Sequence, residues 1–147
     1  MSAKHLSVAG LVIGAAAILA GCATATPAQA PPALIKPVAG SQIPQLQLTE
    51  RAVQRLGVVT QPVRQATTAG QPAHEVIPYS AVVYDTDGST WTYVNTAARA
   101  YQRKPITVTE IDGDIALLSA GPPVGAAVVT VGAAELLGTE YNISGEE

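Results

Sequence analysis

Short apolar runs alternate with turn residues between residues 76 and 137. The runs at 82–84 and 91–94 flank an acidic turn at 85–88, and the runs at 106–111 and 115–118 flank a second turn at 112–114. Gly121-Pro122-Pro123 then breaks the chain before a last run at 127–131. Runs of this length, bounded by Asp-Gly and Gly-Pro, indicate strands joined by hairpin turns.

The residues before this stretch predict one short helix followed by a strand. Thr49 is placed to cap the helix, Glu50 suits its first turn, and Gly57 suits its end. The run at 57–63 then has the character of a strand, with Pro62 near its end. After the last run, residues 133–137 predict a brief helical turn that Gly138 ends. Residues 141–143 are expected to form a last edge strand or to pack on the barrel.

These elements predict a mainly β fold. We expect a small β-barrel or β-roll of about six or seven strands, with one or two short helical turns. The chain has 147 residues and contains no Phe, so its core must be built from Val, Ile, Leu and Ala. Trp91 and Tyr93, which share one strand face, are expected to be among its larger pieces.

The first 22 residues have the pattern of a targeting segment. An apolar run at 6–20 follows Lys4 and ends in Gly21-Cys22. Small residues before a Cys resemble the lipobox of bacterial lipoproteins, which implies cleavage before Cys22 and lipid on its thiol. An ordinary signal peptide and an uncleaved anchor are the alternatives. Cys22 is the only Cys, so an exported domain with a lipidated Cys22 has no thiol for disulfides or metal binding.

Composition divides the remaining chain into three parts. Residues 23–45 are rich in Pro and Ala and predict an extended linker. Residues 46–143 are expected to form the β domain, and residues 144–147 a disordered tail. The chain therefore predicts an extracytoplasmic domain held to a cell membrane by lipid on Cys22, in the periplasm or at the outer face.

The β stretch resembles the C-terminal, membrane-proximal domain of the periplasmic adaptor (membrane fusion) proteins of RND-type efflux systems. That family has a recurring order of short motifs near its C-terminus. Here the corresponding motifs are Ile77-Pro78-Tyr79-Ser80-Ala81-Val82, Asp87-Gly88, Trp91-Thr92-Tyr93-Val94, Arg103-Lys104-Pro105-Ile106-Thr107-Val108, Asp112-Gly113-Asp114, Gly121-Pro122-Pro123-Val124-Gly125 and Val128-Val129-Thr130-Val131-Gly132-Ala133.

A second motif lies earlier in the chain. Leu48-Thr49, Leu56-Gly57-Val58, Thr60 and Pro62-Val63 resemble the segment that precedes the lipoyl and hairpin regions of these adaptors and pairs with their C-terminal domain. A complete adaptor carries a barrel, a lipoyl domain and a helical hairpin between the two motifs. This chain has only residues 64–75 there, and no heptad pattern, so the resemblance covers the membrane-proximal domain alone.

The resemblance implies a non-catalytic module that contacts a membrane transporter, as an accessory or reduced adaptor subunit. The alternative is a lipoprotein that binds a small ligand or a lipid in an apolar pocket. The net charge of −3 and the absence of a basic cluster do not indicate nucleic acid as a partner.

Candidate chemistry is sparse. Asp85 and Asp87 fail the spacing of a calcium-binding EF-hand loop, since Thr90 and Thr96 occupy its sixth and twelfth positions. His74 is the only His after the targeting segment, and no Gly-x-Ser-x-Gly motif accompanies it. Glu75, Glu110 and Glu135 are too far apart in sequence to indicate an acid–base pair. We therefore expect no catalytic residues, no metal site and no cofactor.

One segment has the composition of a contact surface. Arg99, Tyr101, Arg103 and Lys104 make a basic, aromatic strand. The simpler interpretation is a solvated strand face. The functional one is a patch that contacts a membrane protein or acidic lipid head groups.

Overall fold

The structure is a computed structural model that describes residues 31–67 and 73–144. Its class is mainly β, as predicted, with 50% of the described residues in strands. The described residues form 11 strands in two antiparallel sheets, with two helices. The sheets do not close into a barrel, and the strands outnumber the predicted six or seven, because several short edge strands carry too few residues to show a pattern.

The larger sheet has seven strands. They are β1 (Ala33–Lys36), β2 (Gln45–Leu48), β3 (Val59–Pro62), β6 (Val83–Tyr84), β7 (Thr90–Ala97), β8 (Ala100–Pro105) and β11 (Ala127–Val131). Their order is β1-β2-β8-β7-β11-β3, and β6 pairs with β7. The first and second sequence motifs therefore meet in one sheet, where β3 pairs with β11.

The smaller sheet has four strands. They are β4 (Arg64–Ala66), β5 (His74–Pro78), β9 (Thr107–Asp112) and β10 (Ile115–Ala120), in the order β4-β5-β10-β9. The chain passes from the larger sheet to the smaller at Val63, which lies between β3 and β4. Val63 is buried, and its N–H donates a 2.8 Å hydrogen bond to the Ala126 carbonyl. This bond holds the crossing point against the segment that leads into β11.

Two apolar clusters form the core. The first lies between the larger sheet and two helices, α1 (Glu50–Leu56) and α2 (Ala133–Ser144). Its largest fully buried members are Tyr93, Leu46 and Leu136. The second joins the two sheets and includes Val63, Ile77 and Val128. Burial of such side chains contributes about 1.5–3 kcal/mol each. Tyr93 is fully buried in the core, as predicted, whereas Trp91 is only partly buried.

Helix α1 and both hairpin turns follow the sequence-based predictions. Thr49 Oγ1 accepts a 3.2 Å hydrogen bond from the Ala52 N–H, and Gly57 ends the helix in the left-handed region at φ 62°. In the first turn Asp87 Oδ1 accepts the Ser89 N–H at 2.9 Å. In the second, Gly113 takes φ 57°. These features are local, so nearby residues alone determine them.

Part of the predicted linker is a strand. Residues 33–36 form β1, which pairs with β2 in the register Ala33↔Leu48 to Lys36↔Gln45. Ala33 is buried in the first core cluster, so the folded domain begins well before residue 46. The intervening loop is anchored as well, since Gln102 Nε2 donates a 2.7 Å hydrogen bond to the Ile43 carbonyl. Residues 37–44 therefore form the connection of a β1–β2 hairpin.

The C-terminal prediction is also wrong in part. Helix α2 runs through Gly138 and ends at Ser144, where an edge strand and then a tail were expected. Packing of Leu136 in the core outweighs the cost of a helical Gly, which is about 1 kcal/mol relative to Ala. The targeting segment with Cys22, residues 23–30 of the linker and residues 145–147 lie outside the described part of the chain.

Candidate functional sites

A cluster of charged and aromatic side chains surrounds Arg103 on β8. Arg103 Nη1 lies 2.5 Å from Asp85 Oδ2, and Arg103 Nε lies 3.0 Å from Glu140 Oε1. The Nε contact is an ion pair without hydrogen-bond alignment. The three side chains are only 12%, 11% and 5% exposed, in that order. Charges that are this well shielded interact more strongly than surface ion pairs.

Three aromatic residues complete what we call the Arg103 cluster. The Tyr93 hydroxyl donates a 2.6 Å hydrogen bond to Glu140 Oε2, and the Tyr141 hydroxyl donates one to Asp85 Oδ1. The Arg103 guanidinium carbon lies 4.6 Å from the centroid of the Trp91 ring and 5.8 Å from that of Tyr141. Stacking on aromatic faces adds cation–π attraction to the ion pairs.

The cluster shifts the pKa values of its members. The Tyr141 hydrogen bond, with the Thr86 N–H and Arg103, lowers the pKa of Asp85 to about 2. Burial, reinforced by the Glu140 hydrogen bond, raises the pKa of Tyr93 well above its ordinary value. Burial alone lowers the pKa of Arg103, but the Asp85 hydrogen bond and the charge of Glu140 outweigh it and raise that pKa overall.

The arrangement is suited to fastening elements together. Asp85 follows β6, Tyr93 and Arg103 lie on neighbouring strands β7 and β8, and Glu140 and Tyr141 lie in the last part of α2. One set of contacts therefore joins the helix, the first hairpin turn and the larger sheet. Each polar group named here already has a partner within the cluster, which is typical of a structural network.

The predicted basic, aromatic patch is not one exposed surface. Tyr101 is 5% exposed and packs in the first core cluster, and Arg103 belongs to the shielded cluster described above. Tyr101 and Arg103 are two residues apart on β8, so they share one face of the strand, and that face packs inward. Lys104 lies on the opposite face. Arg99 lies in the β7–β8 turn with φ 59° and is 3.9 Å from Glu50 Oε2. Arg99 and Lys104 remain accessible, so only half of the predicted patch can contact a partner.

Sequence reasoning missed Glu140 and Tyr141. Both follow Gly138, where the sequence predicts the end of a helix. A signal was nevertheless present, because Ala133, Leu136 and Glu140 recur at helical spacing and all three are buried.

The other candidate residues are dispersed. His74 and Glu75 begin β5, Glu110 lies on β9, and Glu135 lies in the first turn of α2. Within residues 31–67 and 73–144 there is no group of three His, Cys, Asp or Glu side chains that could hold a metal ion. The lipidation candidate, Cys22, lies outside that range.

A groove of about 490 Å³ lies on the outer face of the smaller sheet. Arg64 pairs with Val76, and Pro78 pairs with Ile115, so the side chains of these four residues share that face. Val76, Pro78 and Ile115, together with Pro62, give the groove an apolar floor. Arg64 and Asp114 are its charged lining residues.

The end of the groove next to Asp114 is aromatic. Tyr79 begins a short 3-10 turn, Tyr79–Ala81, and its N–H donates a 2.8 Å hydrogen bond to the Asp114 carbonyl. The Tyr79 side chain lines the groove, and the residue is 40% exposed. A hydrogen bond with Tyr79 raises the pKa of Tyr84, so the two tyrosines form a contiguous rim.

No family model, curated protein or solved structure matches this chain. Among the helices of the described residues, neither is long and apolar enough to cross a bilayer.

Proposed function

We propose that this chain is a lipid-anchored extracytoplasmic module without catalytic activity, which contacts a membrane transporter as an accessory or reduced adaptor subunit. The proposal starts from the resemblance of its motifs to the membrane-proximal domain of periplasmic adaptors. Fold likeness does not carry function by itself. The geometry of the two motif segments adds independent support.

The pairing of β3 with β11 is the observation that carries the proposal. In the adaptor family the early motif pairs with the C-terminal domain, although other domains separate them in sequence. Here Thr60 of the early motif lies opposite Val129 of the late motif, in an antiparallel pair of strands. Residues that match the two motifs are therefore neighbours in one sheet.

The chain reverses direction where complete adaptors carry their inserted domains. β4 ends at Ala66, and β5 begins at His74 and pairs with β4. This short connection leaves a self-contained unit with its own core. Such a unit could bind a transporter close to the membrane, and residues 31–67 and 73–144 contain no long helical hairpin with which to reach a distant channel.

Cys22 supplies the proposed anchor. Lipid on its thiol would hold the domain at a membrane, with residues 23–31 as the connection to β1. One acyl chain gives only reversible binding, so stable attachment requires the multiple chains of a bacterial lipoprotein. Arg99 and Lys104 are the accessible cations that we assign to the transporter contact.

The experiment is quantitative affinity purification from native membranes, with the full lipoprotein as bait. We expect a transporter permease to be enriched, and we expect mass spectrometry to find lipid on Cys22 of the wild-type bait and none on the Cys22→Ser variant. A variant that lacks residues 23–31 tests the connection and leaves β1 intact. The Arg99→Glu/Lys104→Glu double variant should stay folded and recover several-fold less permease.

Two results would contradict the proposal. One is wild-type protein from membranes that carries no lipid on Cys22 by mass spectrometry, which would exclude the lipid anchor. The other is reproducible recovery of no integral membrane protein by the wild-type bait. Arg51→Glu, an exposed cation on α1, is the matched control for the double variant.

Small-ligand binding is the second candidate function, and the groove favours it. Its volume falls within the usual range of ligand pockets, about 300–1,000 Å³. Tyr79 and Ile115 would contact an apolar ligand there. Co-purified lipids, identified by mass spectrometry, would distinguish the candidates: a bound lipid that Ile115→Asp abolishes supports ligand binding, and permease recovery by the same variant supports the adaptor role.

A further inference from the structure

The groove and its rim form a surface that is complementary to itself. The apolar floor at Val76 is a recess, and Tyr79 at the other end is an exposed aromatic side chain that could fill such a recess. Ile115, which is 37% exposed, lies between them. A patch with a recess and a projecting ring is suited to pairing with a second copy, because a two-fold interface uses the same surface on both sides.

The charges of the patch follow the same pattern. Arg64 lies on edge strand β4 beside Val76, whereas Asp114 precedes Ile115 on β10, two strands away. The two charges therefore stand at opposite corners of the groove. Both are exposed, and among the described residues neither forms an ion pair.

We propose that two copies of this chain associate face to face through this groove. A two-fold axis that passes between Arg64 and Asp114 brings Arg64 of each copy to Asp114 of the other. The same operation places Tyr79 of each copy over the Val76 end of the other copy's floor. Two ion pairs and two inserted rings then form at once, since each contact occurs twice in the dimer.

Tyr79 is already held in position before the two copies associate. The Tyr79 N–H donates a 2.8 Å hydrogen bond to the Asp114 carbonyl, so little backbone freedom remains to be lost there on association. Tyrosines and arginines of this kind are typical of residues that dominate binding energy. The patch is small, so we expect rapid exchange and a dissociation constant on the order of 10 μM.

Light scattering after size-exclusion chromatography, on the purified lipoprotein in detergent, measures this association. The variants are Arg64→Asp, Asp114→Arg and the double reversal. Each single reversal should weaken the dimer at least about tenfold, because like charges then face each other twice. The double reversal should restore it. Arg51→Asp, the same charge change on α1 far from the groove, should have no effect.

The double reversal also guards against misfolding, since a recovered dimer requires a folded chain. Tyr79→Ser provides a separate test and should weaken the dimer without loss of the circular dichroism spectrum. A chain that stays monomeric at about 1 mM overturns the proposal, as does a dimer that all three charge variants leave unchanged. This inference does not depend on the proposed function, because dimerisation is measured without a transporter, and either can fail alone.

Discussion

Tyr93 and Glu140 are 47 residues apart in the chain, yet the Tyr93 hydroxyl donates a 2.6 Å hydrogen bond to Glu140 Oε2. Arg103 Nε lies 3.0 Å from Oε1, the other oxygen of the same carboxylate. The contact joins the middle of the larger sheet to the last part of α2. Hydrogen bonds to charged groups contribute about 1.5–3 kcal/mol each, so this helix end depends on them.

Removal of the cation should destabilise the fold strongly. Arg103→Ala leaves the shielded Glu140 carboxylate without its counter-charge, and we expect a loss of about 3 kcal/mol in the free energy of unfolding. Arg103→Lys keeps the charge but loses the planar stacking on Trp91, and should cost about 1 kcal/mol. Urea denaturation measures both. Equal losses for the two variants would show that the charge itself contributes little.

Stability should be lost at acid pH through Asp85. Its pKa in the folded chain is about 2, below its ordinary value of 3.8, so its contribution is complete above about pH 4 and is lost as the pH falls through about 2. Asp87, whose pKa is also lowered by its Ser89 hydrogen bond, acts in the same direction. Thermal melts between pH 1.5 and 6 measure this loss of stability. In Asp85→Asn the acid-dependent change should be smaller.

Stability should also be lost at alkaline pH, for the opposite reason. The pKa of Tyr93 is raised in the folded chain, so its contribution is complete below its ordinary value near 10 and is lost as the pH rises beyond it. Tyr93→Phe should lower stability at neutral pH and reduce the alkaline decline. An alkaline decline of unchanged size in this variant would assign the effect to other tyrosines.

The sequence predicts well what neighbouring residues decide. The α1 caps at Thr49 and Gly57 and the turn at Gly113 were all predicted, because each depends on residues a few positions apart. The Arg103 cluster could not be predicted, since Asp85 and Tyr141 lie 56 positions apart and meet only after the sheet and α2 have packed. The sequence does not predict β1, because a strand of four residues between prolines is too short to show an alternating pattern.

The Thr92→Val variant should be more stable than the wild-type protein. Its side chain is fully buried on β7, and its hydroxyl has no hydrogen-bond partner among the described residues. Thr92→Val keeps the shape and removes the unsatisfied group, so we expect a gain of up to about 1 kcal/mol in the free energy of unfolding. Thr130, also buried, donates to the Val59 carbonyl at 3.3 Å and is the matched control. Thr130→Val should lose about 1 kcal/mol.

Gly138 offers a second stabilising change. It lies inside α2, and a Cβ at this position would meet nothing within 4 Å. Gly138→Ala should therefore raise stability by about 0.5–1 kcal/mol. Gly125 is equally open but has φ 90°, so Gly125→Ala should be destabilising. Thermal melts of the two variants should move in opposite directions, and a shift in the same direction would place Gly138 outside a helix.

In the proposed lipid-anchored arrangement, β1 is the first part of the domain to carry mechanical load. It is an edge strand of four residues, and the connection to Cys22 leaves from its Ala33 end, opposite Leu48. Tension on a lipid anchor would act first on that end and would separate the residue pairs of β1 and β2 one after another. The hairpin would extend before force reached the rest of the sheet. β1 would thus detach under tension and pair with β2 again when the tension falls, while the core stays folded.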